Sequence, residues 1–138
     1  MATYKRFEDL PVWQKARKFA ANAEKLIENS QVKRNFKLRD QMLGSSGSVM
    51  DNIAEGFERS GNKEFSHFLY ISKGSAGEFR SQLYRALDAD RIAQADFDHI
   101  HNEVEKISVE IQNFIKYLSN SGMKGYKYSK GKPLPIQN

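Results

Sequence analysis

Apolar residues recur at spacings of three and four along four long stretches of this chain, the period of a helix that buries one face. The first stretch covers about residues 9 to 29, with Leu10, Trp13, Ala16, Phe19, Ala20, Ala23, Leu26 and Ile27 as its inward positions. A second runs from about Phe36 to Phe57 through Leu38, Met42, Ser45, Ser46, Val49, Ile53 and Phe57. The third extends from Asn62 to about Arg91 and repeats Phe65, Phe68, Leu69, Ser72, Ala76, Phe79, Leu83, Ala86 and Leu87. The fourth starts near Asp96 and carries Phe97, Ile100, Val104, Ile107, Ile111, Phe114, Ile115 and Leu118. No useful run of strand-type alternation interrupts them, and there is no internal repeat. Short connections make sequential helices antiparallel, so the pattern predicts an all-α, up-down-up-down four-helix bundle.

The boundaries have chemical signals. Asp9 is a candidate cap for the first helix, with Pro11 tolerated in its first turn, and Asn29-Ser30 ends it. Gly56 or Ser60-Gly61 is expected to close the second helix, and Asn62 to cap the third. Gly44-Ser45-Ser46-Gly47-Ser48 puts five poor helix formers in a row, each glycine costing about 1 kcal/mol relative to alanine. Close approach of a neighbouring helix or subunit is the expected compensation, and a hinge is the alternative. Residues 1–8 form an N-terminal arm, 9–121 the bundle domain and 122–138 a basic tail with too few apolar residues for a core of its own.

At 138 residues the chain is long enough for one domain with a substantial core. It has no cysteine, which removes disulfides and thiolate metal sites. No stretch approaches the length of a membrane span, so a soluble cytoplasmic protein without a membrane partner is the expectation. The net charge of +5 is segregated: residues 1–39 carry ten bases and four acids, residues 40–123 eight and thirteen, and residues 124–138 four bases and no acid. Segregated positive charge suits phosphates or acidic partners, although a merely solubilising surface has the same composition.

The candidate nucleic-acid contacts are Lys15, Arg17 and Lys18 on the first helix, Lys33, Arg34, Lys37 and Arg39 around the next turn, and Lys124, Lys127, Lys130 and Lys132 in the tail. Lys15, Lys18 and Lys25 describe a broad face rather than one stripe. Tyr126 and Tyr128 add stacking surfaces to the tail. No RNA-binding or DNA-reading motif is present, so phosphate contact with RNA or DNA is expected ahead of base readout.

Catalytic and metal chemistry find little support. Glu64-Phe65-Ser66-His67 has the spacing used in di-iron bundles, but its nearest counterpart, Asp96-Phe97-Asp98-His99, is predicted at the opposite end of an antiparallel pair. His99 and His101 point to different sides of one helix. No serine sits in a nucleophile elbow, and Gly74-Ser75-Ala76-Gly77 lacks the lysine of a phosphate loop. No catalytic residue, metal site or cofactor is therefore assigned, and a non-enzymatic protein is expected. Asn52, Glu55 and Glu78 form a candidate polar network that sets helix register or a subunit contact, with Arg39, Arg80 or Arg85 as potential donors.

Four segments in order, Phe7-Glu8-Asp9-Leu10-Pro11-Val12-Trp13, Leu38-Arg39-Asp40-Gln41, Asn52-Ile53-Ala54-Glu55-Gly56 and Gln82-Leu83-Tyr84-Arg85-Ala86, resemble the four-helix-bundle family named after the 23S rRNA intervening sequence. The resemblance covers most of residues 7 to 118, with Asp51 and Gly77 as mild departures. That family is similar in turn to the accessory variability determinants of diversity-generating retroelements, basic pentameric barrels that bind nucleic acid and a reverse transcriptase. The resemblance implies a ring-like homo-oligomer, a pentamer, and a non-enzymatic scaffold for structured nucleic acid or a nucleic-acid enzyme. A protein-interaction module with no nucleic-acid role is the alternative.

Overall fold

The computed structural model describes residues 4–59 and 61–121. Four helices account for most of them: α1 (Pro11–Glu28), α2 (Phe36–Glu58), α3 (Asn62–Asp88) and α4 (Gln94–Ser121). Short 3-10 turns at Phe7–Asp9 and Gln31–Arg34 precede α1 and α2, and there is no strand among the described residues. Each helix packs mainly on two neighbours in the cyclic order α1, α2, α3, α4; the α2–α3 contact is the most extensive and α1–α4 the least. None of the described helices is long and apolar enough to cross a membrane.

The core follows the predicted faces closely. Every inward position expected on the second and fourth helices is buried. Ala20, Leu26, Phe68 and Leu87 sit half-buried at the edges of their stripes. Five fully buried phenylalanines link the layers through edge-to-face contacts that suit the ring quadrupole: Phe19 of α1 meets Phe79 of α3 at 4.9 Å between centroids, and Phe65 of α3 meets Phe57 of α2 at 6.0 Å and Phe114 of α4 at 5.1 Å. Tyr4 and Phe7 also pack against this core, Phe7 edge-on to Trp13 at 5.1 Å.

Several boundary expectations need correction. Leu10, not Asp9, is the residue before α1; Asp9 belongs to the preceding 3-10 turn, and Pro11 opens the helix where its missing N–H costs nothing. Asn62 begins α3 rather than capping it, because Gly61 takes the cap position with φ +98°, a conformation that favours glycine. α3 ends at Asp88, three residues short of the expected limit: Asp90 enters the left-handed region (φ +57°), its N–H bonds to the Leu87 carbonyl, and the Arg91 N–H reaches back to that of Ala86. Asn35 caps α2 by accepting from the Leu38 N–H at 3.1 Å.

The glycines of α2 also differ from expectation. Gly56 does not end the helix; α3 packs tightly against it, and an added Cβ would lie 2.7 Å from Phe68 Cβ and 2.8 Å from Phe65 Cδ1. At Gly44 and Gly47 an added Cβ would meet nothing within 4 Å, so none of the described helices requires them. The serines between them face inward. Ser45 Oγ donates to Gln82 Oε1 at 2.6 Å, the Ser48 and Ser75 hydroxyls share a 2.8 Å bond, and Ser72 Oγ donates to the Val49 carbonyl at 2.7 Å.

Candidate nucleic-acid interface

Helical spacing turns Lys15, Lys18, Asn22, Lys25 and Asn29 toward one side of α1, beside the apolar stripe that holds the helix on the core. On α4 the same logic presents Asp96, His99, Glu103, Lys106 and Glu110. The two rows face each other across an open groove, whose upper part of about 450 Å³ is floored by Ile107 and continues through Asn22 and His99 into a shallower part of about 300 Å³. Lys15, Lys18 and Lys25 therefore form one stripe, not the broad face the sequence suggested. They are not alone there: Lys15 pairs with Glu110, and Asn22 Nδ2 donates to both carboxylate oxygens of Glu103 at 3.2 and 3.1 Å.

A second groove, of about 560 Å³, lies on the other flank of α4, against α3. Lys73 and Arg80 line it from α3, and Lys106 and Lys116 from α4, with Glu105 the one acid among its lining residues. Lys106 borders both grooves. This basic cleft was missed in the sequence because residues 40–123 are acidic in sum. The available signal was spacing: Lys73 and Arg80 are two turns apart on one helix face, and Lys106 and Lys116 nearly three.

The remaining sequence candidates disperse. Arg17 lies over the Trp13 ring, its guanidinium carbon 5.8 Å from the centroid. Lys33 and Arg34 are exposed on the second 3-10 turn, and Lys37 is exposed at the start of α2. Arg39 sits 5.0 Å over the Phe36 ring and pairs with Asp40 at 3.0 Å, which leaves its charge partly neutralised. Ten residues, about 15 Å of helix, separate Lys18 from the end of α1, so the turn and the upper groove are distinct patches. Lys124, Lys127, Lys130 and Lys132 lie outside the described residues.

Asn52, Glu55 and Glu78 are not brought together. Asn52 Nδ2 donates to the Ser48 carbonyl and hydroxyl at 2.9 and 2.8 Å, and so reaches the α2–α3 seam through the Ser48–Ser75 bond. Glu78 touches the same seam from its exposed edge, accepting from Gln82 Nε2 at 3.3 Å. Glu55 faces solvent and pairs with Arg59 at 3.0 Å, one turn away. The arginines expected to serve these groups have other neighbours: Arg85 donates to Gln41 at 3.1 Å, and Arg80 lines the α3–α4 groove.

Among the described residues no three histidine, aspartate or glutamate side chains converge as a metal site would require. His67 is exposed beside Phe68, and His101 stacks on Phe97 with 5.2 Å between ring centroids.

None of the curated proteins compared with this chain matches it. Among solved structures, the chain is similar to a protein of unknown function from the S23 ribosomal protein family of Bacteroides thetaiotaomicron VPI-5482, with 25% sequence identity and a TM-score of 0.69 over 76% of this chain and 98% of the other. Residues 8–113 match the family model described as 23S rRNA-intervening sequence protein. That match spans helices α1 to α3 and most of α4, including both grooves save Lys116, and by it the chain belongs to the 23S rRNA-intervening sequence protein family.

Proposed function

We propose that this protein is a non-enzymatic, oligomeric scaffold that binds structured RNA through the surface around α4. The observation that carries the proposal is the α3–α4 groove, where Lys73, Arg80, Lys106 and Lys116 face a single acid, with Lys106 continuing the charge into the α1–α4 groove. Phosphates suit such a surface, because each neutralised phosphate releases counterions and no base need be read. The family description, which refers to an rRNA insertion, supports RNA as the polyanion. Assembly of copies, a pentameric ring by the resemblance, would repeat the grooves and raise local charge density. A nucleic-acid enzyme such as a reverse transcriptase is the protein partner that fits the same scheme.

A second reading, a protein-interaction module without RNA, is favoured by the exposed apolar side chains Phe36, Tyr70, Ile71, Tyr84 and Val109. Salt separates the two, since apolar contacts do not weaken as ions are added. The test is binding of a structured RNA across a salt series, with wild type beside the triple variant Lys73→Gln, Arg80→Gln, Lys116→Gln and the quadruple variant Lys33→Gln, Arg34→Gln, Lys37→Gln, Arg39→Gln. For the triple variant the log–log salt slope should become shallower by about 2 to 3, with the quadruple variant changing it less. Absence of binding at low salt by a folded protein would end the RNA proposal.

A further inference from the structure

The α1–α4 groove contains a group that phosphate binding does not use. Glu110 is 2% exposed, one carboxylate oxygen is held by Lys15, and the other, Oε2, is buried with no hydrogen-bond partner among the described residues. Buried acceptors nearly always find a donor, and a charged one left without it is costly. About 450 Å³ of groove lies against this carboxylate, within the range of small-ligand sites. Oε2 itself has almost no open surface, so an N–H or O–H brought by a ligand reaches it only once the side chains over it move aside. Lys18 and Lys106 on the same walls offer that ligand's other end an anion site.

A nucleotide carries both features, a donor edge on its base and a phosphate attached through the sugar. Lys15 has three N–H donors and spends one on Glu110, so it keeps a spare donor beside that acceptor. Guanine matches that pair, since it sets the O6 acceptor next to N1–H and N2–H, two adjacent donors for a carboxylate. Adenine and cytosine place an amino group beside an unprotonated ring nitrogen, whose lone pair would repel Glu110; uracil has a single N–H between two carbonyls. Unpaired RNA bases are the ones that proteins read on these edges.

We propose that the α1–α4 groove receives one unpaired guanine of a bound RNA, with Glu110 accepting from its N–H edge, Lys15 donating to O6, and Lys18 and Lys106 meeting the flanking phosphates. The site rests on the RNA-binding proposal and adds base selectivity to it: phosphates position the strand, and the pocket reads one nucleotide.

The test uses five hairpin RNAs identical except for one unpaired loop nucleotide, G, inosine, A, C or U, titrated by fluorescence anisotropy against wild type and Glu110→Gln. Wild type should bind the G hairpin about tenfold tighter than the A, C or U hairpins. Inosine, which keeps N1–H and O6 but lacks the N2 amino group, should fall between. Glu110→Gln should bind all five alike. Salt-dependent binding with no preference among the loops, a preference for another base, or a guanine preference that survives Glu110→Gln would each overturn the pocket while leaving RNA binding intact. No binding of any hairpin at low salt would overturn both. The panel on the unaltered protein gives the decisive selectivity even if Glu110→Gln does not fold.

Discussion

The α2–α3 seam and the α1–α4 groove solve the same packing problem in opposite ways. Across the seam, glycine and serine let the helices approach until Gly56 has no room for a methyl group, and the hydroxyls of Ser45, Ser48, Ser72 and Ser75 find partners on the facing helix. Across the groove, lysine, asparagine and glutamate hold the helices through long side chains, leaving open volume and one buried carboxylate oxygen without a donor among the described residues. Short polar side chains close an interface; long ionic ones prop it open. The first arrangement gives rigidity and the second gives space for a ligand.

The comparison can be broken most severely at the seam. Gly56→Ala forces a Cβ against the Phe68 Cβ, which is tied to the α3 backbone and cannot swing aside, so about 3 kcal/mol of destabilisation is expected in denaturant unfolding. A variant with wild-type stability would show that the seam is looser than its distances indicate. At the groove, Lys15→Met removes the one partner that a buried carboxylate has among the described residues. The expected cost is about 2 kcal/mol, below the range for fully enclosed pairs because Lys15 itself is 45% exposed. Adding Glu110→Gln should recover most of that loss, and a double variant no more stable than Lys15→Met would argue against charge as the cause. The smallest effect has the opposite sign. Gly44→Ala and Gly47→Ala place a methyl group in open space within a helix and should each stabilise an isolated subunit by about 0.5 to 1 kcal/mol. If those positions lie between copies, sedimentation should show weaker assembly by the same variants; unchanged assembly would place the subunit contact elsewhere.

Most of the fold was legible because the four apolar stripes obey a single period, and residues as far apart as Leu38 and Leu118 landed in one core as that period requires. The errors fell where one backbone angle or one neighbour decides. Asp90 ends α3 through a left-handed residue that has no glycine to announce it, and Gly56, readable as a stop, is a contact glycine because Phe65 and Phe68 come from a different helix. The candidate site was legible in part. Lys15 and Lys18 were visible as charges, but Lys106, Glu103 and Glu110, which line the same groove, lie some ninety residues away, and no single-helix pattern brings them together. Segment sums concealed Lys73, Arg80 and Lys116 among acids that face other directions. Glu55 shows the converse: shared helical spacing with Asn52 did not make it a shared partner.

The two interfaces also differ in how much chain must be gathered before they form. Val49 and Ser72 are 23 residues apart, whereas Lys15 and Glu110 are 95 apart. Loop closure rises by about 0.6 kcal/mol for each doubling, so the groove contact carries roughly 1.2 kcal/mol more closure entropy than the seam. We therefore expect the seam to form early as a hairpin, and the join between the first and last helices to close last and open first. Hydrogen exchange should find the amides of α1 opening at lower free energy than those of α3, and equal protection would refute that order. On this kinetic view the groove is the bundle's natural door, placed where the chain took longest to meet itself.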